Sequence, residues 1–111
     1  MVIYMKSDIS LSCNMSVFTP SQRESHILNT AQLVQAVQQV QEVEDGYAFI
    51  FPNETELIVH IAEFVSKERL CCPFLEFTLK IISNSDPISL SLSGPAGTQE
   101  FLRAEFQGAI P

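Results

Sequence analysis

Two adjacent cysteines, Cys71 and Cys72, stand directly before a proline, and Glu68 comes one helical turn before them. Thiolates select soft ions such as Zn(II), Cu(I) and Hg(II), and they also take part in redox exchange. Free cysteine is equally one of the most buried residue types, so the pair could be plain packing at a helix end. These three interpretations stay open for the pair itself. A disulfide between neighbours would need a strained peptide, so we do not expect a structural crosslink between Cys71 and Cys72.

The expected surroundings of the pair argue against a strongly nucleophilic thiolate. Both cysteines fall at the C-terminal end of a predicted helix, which is the negative end of the helix dipole, and both lie near Glu68. Each of these influences raises the pKa of a thiol. Arg69 and Arg23 are the cations that could offset them. A bound metal ion would override the effect, because coordination deprotonates a thiol directly.

A third cysteine, Cys13, belongs to a stretch in which apolar residues alternate with serine and asparagine over residues 9–17. Period two predicts a half-buried strand with Cys13 on its inner face, where it could approach the end of the helix. Three converging sulfurs suit a soft metal ion, so Cys13, Cys71 and Cys72 are the predicted metal ligands. A closed zinc site needs four ligands, and the sequence shows no clear fourth. His26 is a weak candidate, since we expect it to be a partly exposed helix residue.

Glu68 is the second chemically notable residue of this region. On a helical wheel it lies about 20° from Ile61, in the centre of the apolar stripe. A buried carboxylate must be paired or protonated, and Arg23 on the apolar face of the preceding helix offers a bidentate partner. We therefore predict that Arg23 and Glu68 line the ligand pocket. The alternative is that Glu68 reaches water past the helix end, and even a buried pair need only hold two helices together.

The elements that position these residues follow from hydrophobic periodicity and turn signals. Thr19 and Pro20 predict a helix start, and Asn53 predicts the cap of the second helix. The predicted order is β-α-β-β-α-β-β-α, a two-layer α+β sandwich in which a mostly antiparallel sheet carries helices on one face, with ferredoxin-like connections in its first six elements. The predicted segments are strand 9–17, helix 20–37, strands 40–44 and 47–51, helix 54–72, strands 75–81 and 88–92, and helix 98–106.

Composition and charge restrict the partners of the protein. The 111 residues predict one domain, residues 1–111, and the formal charge of −7, without any lysine or arginine cluster, argues against nucleic acid. No apolar run approaches the ~18 residues that cross a bilayer, and the start does not read as a secretory signal. We therefore expect a cytoplasmic protein with no membrane partner. In that reducing compartment three cysteines are expected as free thiols or metal ligands.

Three segments, ISLSCNMSVFTPSQRESH, ERLCCPFLEFTLKI and LSLSGPAGTQEFL, resemble the recurring segments of a small bacterial domain family without an established activity. The family pattern is I-x-C, T-x-x-x-R, D-G-Y/F, E-R-x-C-C-P-F and L-T-G-P-x-G-x-x-E-F/L, and Ser93 stands where that pattern has threonine. The segments are similar to parts of heavy-metal-responsive regulators, so the resemblance implies chemistry with thiophilic metals. The matching residues are Cys13, Thr19, Arg23, Asp45 to Tyr47, Glu68, Arg69, Cys71 to Phe74, Gly94, Pro95 and Gly97.

The function predicted from these observations is a thiol-containing module that binds a soft metal ion or another small thiophile through Cys71 and Cys72, together with Cys13. Two alternatives remain at this level. One is a small enzyme that uses Glu68 and a cysteine in a pocket reaching both groups. The other is an assembly protein, with a homodimer formed through a sheet face or edge, in which the cysteines only pack.

Overall fold

The chain enters its first helix through a short 3₁₀ turn. In the computed structural model, which describes residues 11–111, residues 11–14 are irregular and Met15–Val17 form that turn. The predicted strand over residues 9–17 is therefore wrong for residues 11–17, and its first two residues lie outside the described part of the chain. Asn14 supplies the physical reason, because its side-chain oxygen accepts hydrogen bonds from the backbone and hydroxyl of Ser16. Such local bonds compete with strand pairing.

Helix α1, Pro20–Ala36, begins where the sequence predicts. Thr19 and Gln22 form a capping box, in which each side chain bonds to the backbone N–H of the other residue, and Pro20 occupies the first helical position. The helix buries three side chains, those of His26, Asn29 and Leu33. Two of these are polar, so this helix needs hydrogen-bond partners inside the fold.

Strands β1, Gln39–Val43, and β2, Gly46–Phe51, form the predicted hairpin. Asp45 takes the left-handed conformation in the turn, with φ of 57°. Gly46 packs directly on strand β4, residues Ile88–Ser93, because a Cβ atom at this position would lie 1.9 Å from the carbonyl oxygen of Leu92. The glycine is therefore required by the close approach of the two strands.

Helix α2, Thr55–Cys71, follows, and Cys72 is its C-terminal cap. The predicted end of this helix is confirmed. The predicted cap is wrong, since Glu54 occupies the N-cap position without a side-chain hydrogen bond. The amide of Asn53 instead donates to the carbonyl oxygens of Ser83 and Asp86, at 2.6 and 2.8 Å, and so ties the helix entry to the turn that precedes β4.

Strand β3, Glu76–Lys80, forms the second predicted hairpin with β4, and helix α3, Thr98–Glu105, closes the described chain. The sheet is antiparallel throughout, with the order β1-β2-β4-β3. A ferredoxin-like arrangement would place a strand from before α1 beside β2, and in this sheet β4 takes that position. The two-layer α+β class is confirmed, with the observed order α-β-β-α-β-β-α.

The register separates the two faces of the sheet. One face carries rows of large apolar residues, such as Phe49 paired with Leu90, and the helices pack on it. The other face carries small and polar residues, such as Ala48 beside Ser91 and Thr78. Within residues 11–111 no helix is both long enough and apolar enough to cross a membrane.

Candidate metal centre

The end of α2 directs an acid and two cysteine side chains into the protein. Glu68 is 2% exposed, and Cys71 and Cys72 are fully buried. The helical wheel predicted the inward orientation of Glu68 and Cys72. The adjacent Pro73 has no backbone N–H, and the helix stops before it with the Cys72 N–H bonded to the Glu68 carbonyl. Both sulfurs therefore lie at the point where the chain leaves the helix.

The segment that carries Cys13 crosses the end of α2. The backbone N–H of Asn14 donates to the carbonyl oxygen of Cys71 at 2.8 Å, which satisfies one of the free carbonyls at the helix end. Cys13 forms a disulfide with Cys72, and their Cα atoms are 4.7 Å apart. Cys71 remains a free thiol. The expectation of three free thiols is therefore corrected: the pair that bonds joins Cys13 to Cys72 and not the two neighbours.

The four groups Cys13, Glu68, Cys71 and Cys72 converge on one point. One donor atom from each can be chosen so that all four lie within 4.8 Å of one another. The sulfurs of Cys71 and Cys72 are 3.7 Å apart, and the Cys72 sulfur lies 3.4 Å from Glu68 Oε2. Glu68 is thus the fourth member of a group that could hold a metal ion, a position that the sequence did not reveal.

The partner of the buried carboxylate is His26. Its Nε2 lies 2.7 Å from Glu68 Oε1, and both side chains are 3% exposed. The imidazole is held between the rings of Phe18 and Phe64, with ring centres 5.6 and 5.7 Å away. Its Nδ1 has no hydrogen-bond partner within residues 11–111. His26 is therefore a buried residue committed to Glu68, which corrects the expected partly exposed histidine.

Arg23, the predicted partner of Glu68, contacts a different part of the chain. Its Nε donates to the carbonyl oxygen of Met15 at 3.3 Å and its Nη2 to that of Phe18 at 3.4 Å. The guanidinium therefore holds the 3₁₀ turn that follows Cys13. Arg23 supports the position of the segment rather than the carboxylate.

Glu105, at the end of α3, is a member of the site that the sequence reasoning missed. Its carboxylate oxygens lie 3.5 and 3.6 Å from the sulfur of Cys13. Partial burial of the carboxylate, and then the charge of Glu68, raise the pKa of Glu105 to about 7, although the residue as a whole remains exposed. Only the packing of α3 against the sheet brings this acid to Cys13, and no local pattern signals it.

Comparisons with known proteins add no relative: no family model, no curated protein and no solved structure matches the chain. The chemistry of the site is therefore argued from its own residues.

Cys71, the free cysteine of the cluster, is held in its protonated thiol form at neutral pH. Burial, followed by the charge of Glu68 and then that of Glu105, raises the pKa of Cys71 to about 12. Its sulfur lies 3.6 Å from the Glu68 carbonyl oxygen and 3.7 Å from Glu68 Oε1, so the thiol donates to Glu68. A thiol in this state is a poor nucleophile, and a cation is what the surrounding acids favour.

An open groove of about 670 Å³ runs beside the site and is lined by Glu105, Phe106 and residues of α1. Neither Glu68 nor a cysteine lines it. The enzyme alternative requires a pocket that reaches both an acid and a thiol. Of the acids and cysteines of the site, this groove is lined only by Glu105.

Proposed function

We propose that the protein binds a soft or borderline divalent metal ion such as Zn(II) through the thiolates of Cys13, Cys71 and Cys72 and the carboxylate of Glu68. The observation that carries the proposal is the convergence of these four donors within 4.8 Å at the end of α2. Three sulfurs with one carboxylate form a donor set that selects thiophilic ions over hard ones such as Mg(II).

The spacing of the donors supports tetrahedral coordination. With Zn–S bonds of about 2.3 Å and a Zn–O bond of about 2.1 Å, a tetrahedron has S···S edges of about 3.8 Å and S···O edges of about 3.6 Å. The Cys71–Cys72 sulfur distance is 3.7 Å, and Glu68 Oε2 lies 3.4 Å from the Cys72 sulfur and 3.8 Å from that of Cys13. Three of the six edges of the polyhedron are therefore already close to their required lengths.

One edge of that polyhedron is occupied by the Cys13–Cys72 disulfide. In the proposed cycle a dithiol reductant supplies two electrons and two protons, the S–S bond breaks, and both cysteines become thiols while the reductant becomes a disulfide. The two sulfurs then separate to the S···S edge length, and the ion displaces the thiol protons to water. The metal-binding form is the reduced form, which fits the cytoplasmic location that we propose.

His26 has a supporting role in this proposal. Residues that ligate metals are oriented by hydrogen bonds from a second layer of groups, and the contact of 2.7 Å between His26 Nε2 and Glu68 Oε1 provides such a bond. Oε1 is held by the imidazole, so Oε2 is the oxygen directed at Cys13 and Cys72. Arg23 contributes indirectly, since it holds the backbone next to Cys13.

The test is Zn(II) uptake by the full chain, measured by native mass spectrometry and by competition with a chromophoric chelator. Reduced wild type is expected to bind one ion, while oxidised wild type and the Cys71→Ser/Cys72→Ser variant are expected to bind none. Glu68→Gln removes a ligand, so it should weaken binding by at least roughly the 10- to 100-fold that the loss of an outer-shell partner costs. The matched control is Glu63→Gln, on the same helix but paired with Lys67 at the surface.

Equal Zn(II) uptake by reduced wild type and by Cys71→Ser/Cys72→Ser would refute the proposal. Hg(II) is unsuitable as the only probe, because it binds any accessible thiol. Co(II) is a useful second probe, since its absorption reports how many thiolates coordinate it. Loss of Cys13 should remove one thiolate from that signal if the site uses all three.

A further inference from the structure

Strand β3 forms a free edge of the sheet. Its five residues pair with β4 on one side, and within residues 11–111 no strand pairs with the other side. All of β3 except Phe77 is exposed. Three of the exposed large apolar side chains also lie together here: Leu79 at 40%, Ile81 at 43% and Ile82 at 68% exposed. An unpaired, partly apolar edge offers backbone N–H and C=O groups to another strand.

The sequence of this edge is complementary to itself. An antiparallel copy centred on Thr78 places Glu76 opposite Lys80 of the second copy, and Lys80 opposite Glu76 of that copy. The same register places Phe77 opposite Leu79 twice, on the face that carries the helices. Directly opposed residues of antiparallel strands lie on one face, so the charge pairs share one side and the apolar pairs the other.

Other arrangements lack this match. A register centred on Phe77 puts Glu76 opposite Thr78, and one centred on Leu79 puts Lys80 opposite Thr78, so neither pairs the charges. The opposite edge of the sheet, β1, centred on itself, would set Val40 against Glu42. Charged residues on an edge normally discourage pairing with other strands. Here their sign and spacing favour the register centred on Thr78.

We infer that two copies of the protein associate through β3, in a two-fold symmetric dimer with one continuous antiparallel sheet of eight strands. The partner is a second copy of this chain, because the complementarity is between the edge and itself. Such an interface is isologous and closes after two subunits. The inference does not depend on the metal centre, because Cys71, Cys72 and Glu68 take no part in it.

The experiment is sedimentation equilibrium of the oxidised, metal-free full chain over a concentration series. Wild type is expected to show a monomer–dimer equilibrium. Glu76→Lys sets two lysines opposite each other at both ends of the contact, and Lys80→Glu does the same with two acids. Each is expected to weaken the dimer by about tenfold or more, from the size of cross-strand charge effects. The double variant E76K/K80E exchanges the signs and is expected to restore wild-type association.

Mixing the two single variants gives the sharpest result, because each then meets a complementary edge. A mixed dimer stronger than either variant alone is expected. The control is Glu44→Lys, which makes the same charge change in the exposed β1–β2 turn and should leave the equilibrium unchanged. Circular dichroism checks that each variant is folded. A wild type that remains monomeric throughout, or a dimer that Glu76→Lys does not weaken, overturns the inference.

Discussion

Reduction of the Cys13–Cys72 disulfide should destabilise the metal-free protein strongly. The two cysteines are 59 residues apart in sequence, so the bond closes most of the first two-thirds of the chain into one loop. The chain-entropy model gives a contribution of about 4 kcal/mol for a loop of that size. That is a large part of the roughly 5–15 kcal/mol by which a domain of this kind is stable. Urea unfolding followed by circular dichroism, with and without reductant, measures the difference.

Zn(II) should restore the stability that the metal-free protein loses when the disulfide is reduced. An ion that binds only the folded state stabilises it by RT ln(1 + [L]/Kd), which is about 4 kcal/mol at a thousandfold excess over Kd. The reduced protein is therefore expected to lose stability when a chelator is present and to regain it with Zn(II). The oxidised protein should not respond to the ion. If reduced protein with Zn(II) unfolds at the same urea concentration as reduced protein with chelator, the reasoning about the four donors is refuted.

Cys71→Ser separates the two effects. This variant keeps the disulfide, so its oxidised form should retain most of the wild-type stability. Its reduced form lacks one of the three sulfurs, and Zn(II) should restore much less stability than in the wild type. Restoration equal to that of the wild type would show that the ion does not use Cys71.

Three further predictions concern the same cluster. His26→Leu leaves Glu68 buried without its partner and should lower the free energy of unfolding, measured in urea, by about 3 to 5 kcal/mol. The double variant H26L/E68M makes both positions apolar and should lower it clearly less. A loss in the double variant equal to the sum of the two single losses would contradict the pairing. In the oxidised protein Cys71 is the only free thiol, and its pKa is raised to about 12. Its alkylation by iodoacetamide at neutral pH, measured by mass spectrometry, should therefore be much slower in the folded protein than in urea-unfolded protein. Equal rates would contradict the burial of Cys71. The pKa of Glu105 is raised from 4.5 to about 7, so its protonation stabilises the fold below pH 4.5, and that contribution is lost as the pH rises through 7. Glu105→Gln should therefore flatten the dependence of the free energy of unfolding on pH between about 4.5 and 7. An unchanged pH dependence would exclude Glu105 as its source.

Local patterns determine most of the fold. Thr19 and Pro20 start α1, the alternation in β3 and β4 defines their hairpin, and Pro73 marks the end of α2. The failures have local causes that periodicity does not contain. Serine and asparagine in residues 10–16 read as the polar face of a strand, yet Asn14 uses its side chain to cap a turn. The Asn53 side chain is used by the distant β3–β4 turn rather than by its own helix.

The site was predictable in outline but not in its pairings. A helical wheel places Arg23 and His26 on neighbouring parts of α1, and it cannot say which of them lies level with Glu68. The long arginine side chain reaches backbone carbonyls of the preceding turn, while the short, flat imidazole fits between Phe18 and Phe64. The disulfide and Glu105 depend on how separate segments pack in space, which spacing along the chain does not encode.

The electrostatics of the cluster favour a binding site over a nucleophile. Glu68 and Glu105 surround sulfurs that lie at the negative end of α2, and the same charges raise the pKa of the Cys71 thiol. A catalytic cysteine needs the opposite environment, with a cation or a helix N-terminus that stabilises its thiolate. The same acids disfavour a free thiolate but attract a divalent ion. Coordination of that ion then removes the proton of the thiol, so the acids no longer oppose its ionisation. The acids that make Cys71 inert without metal are therefore the ones that would stabilise the metal-bound state.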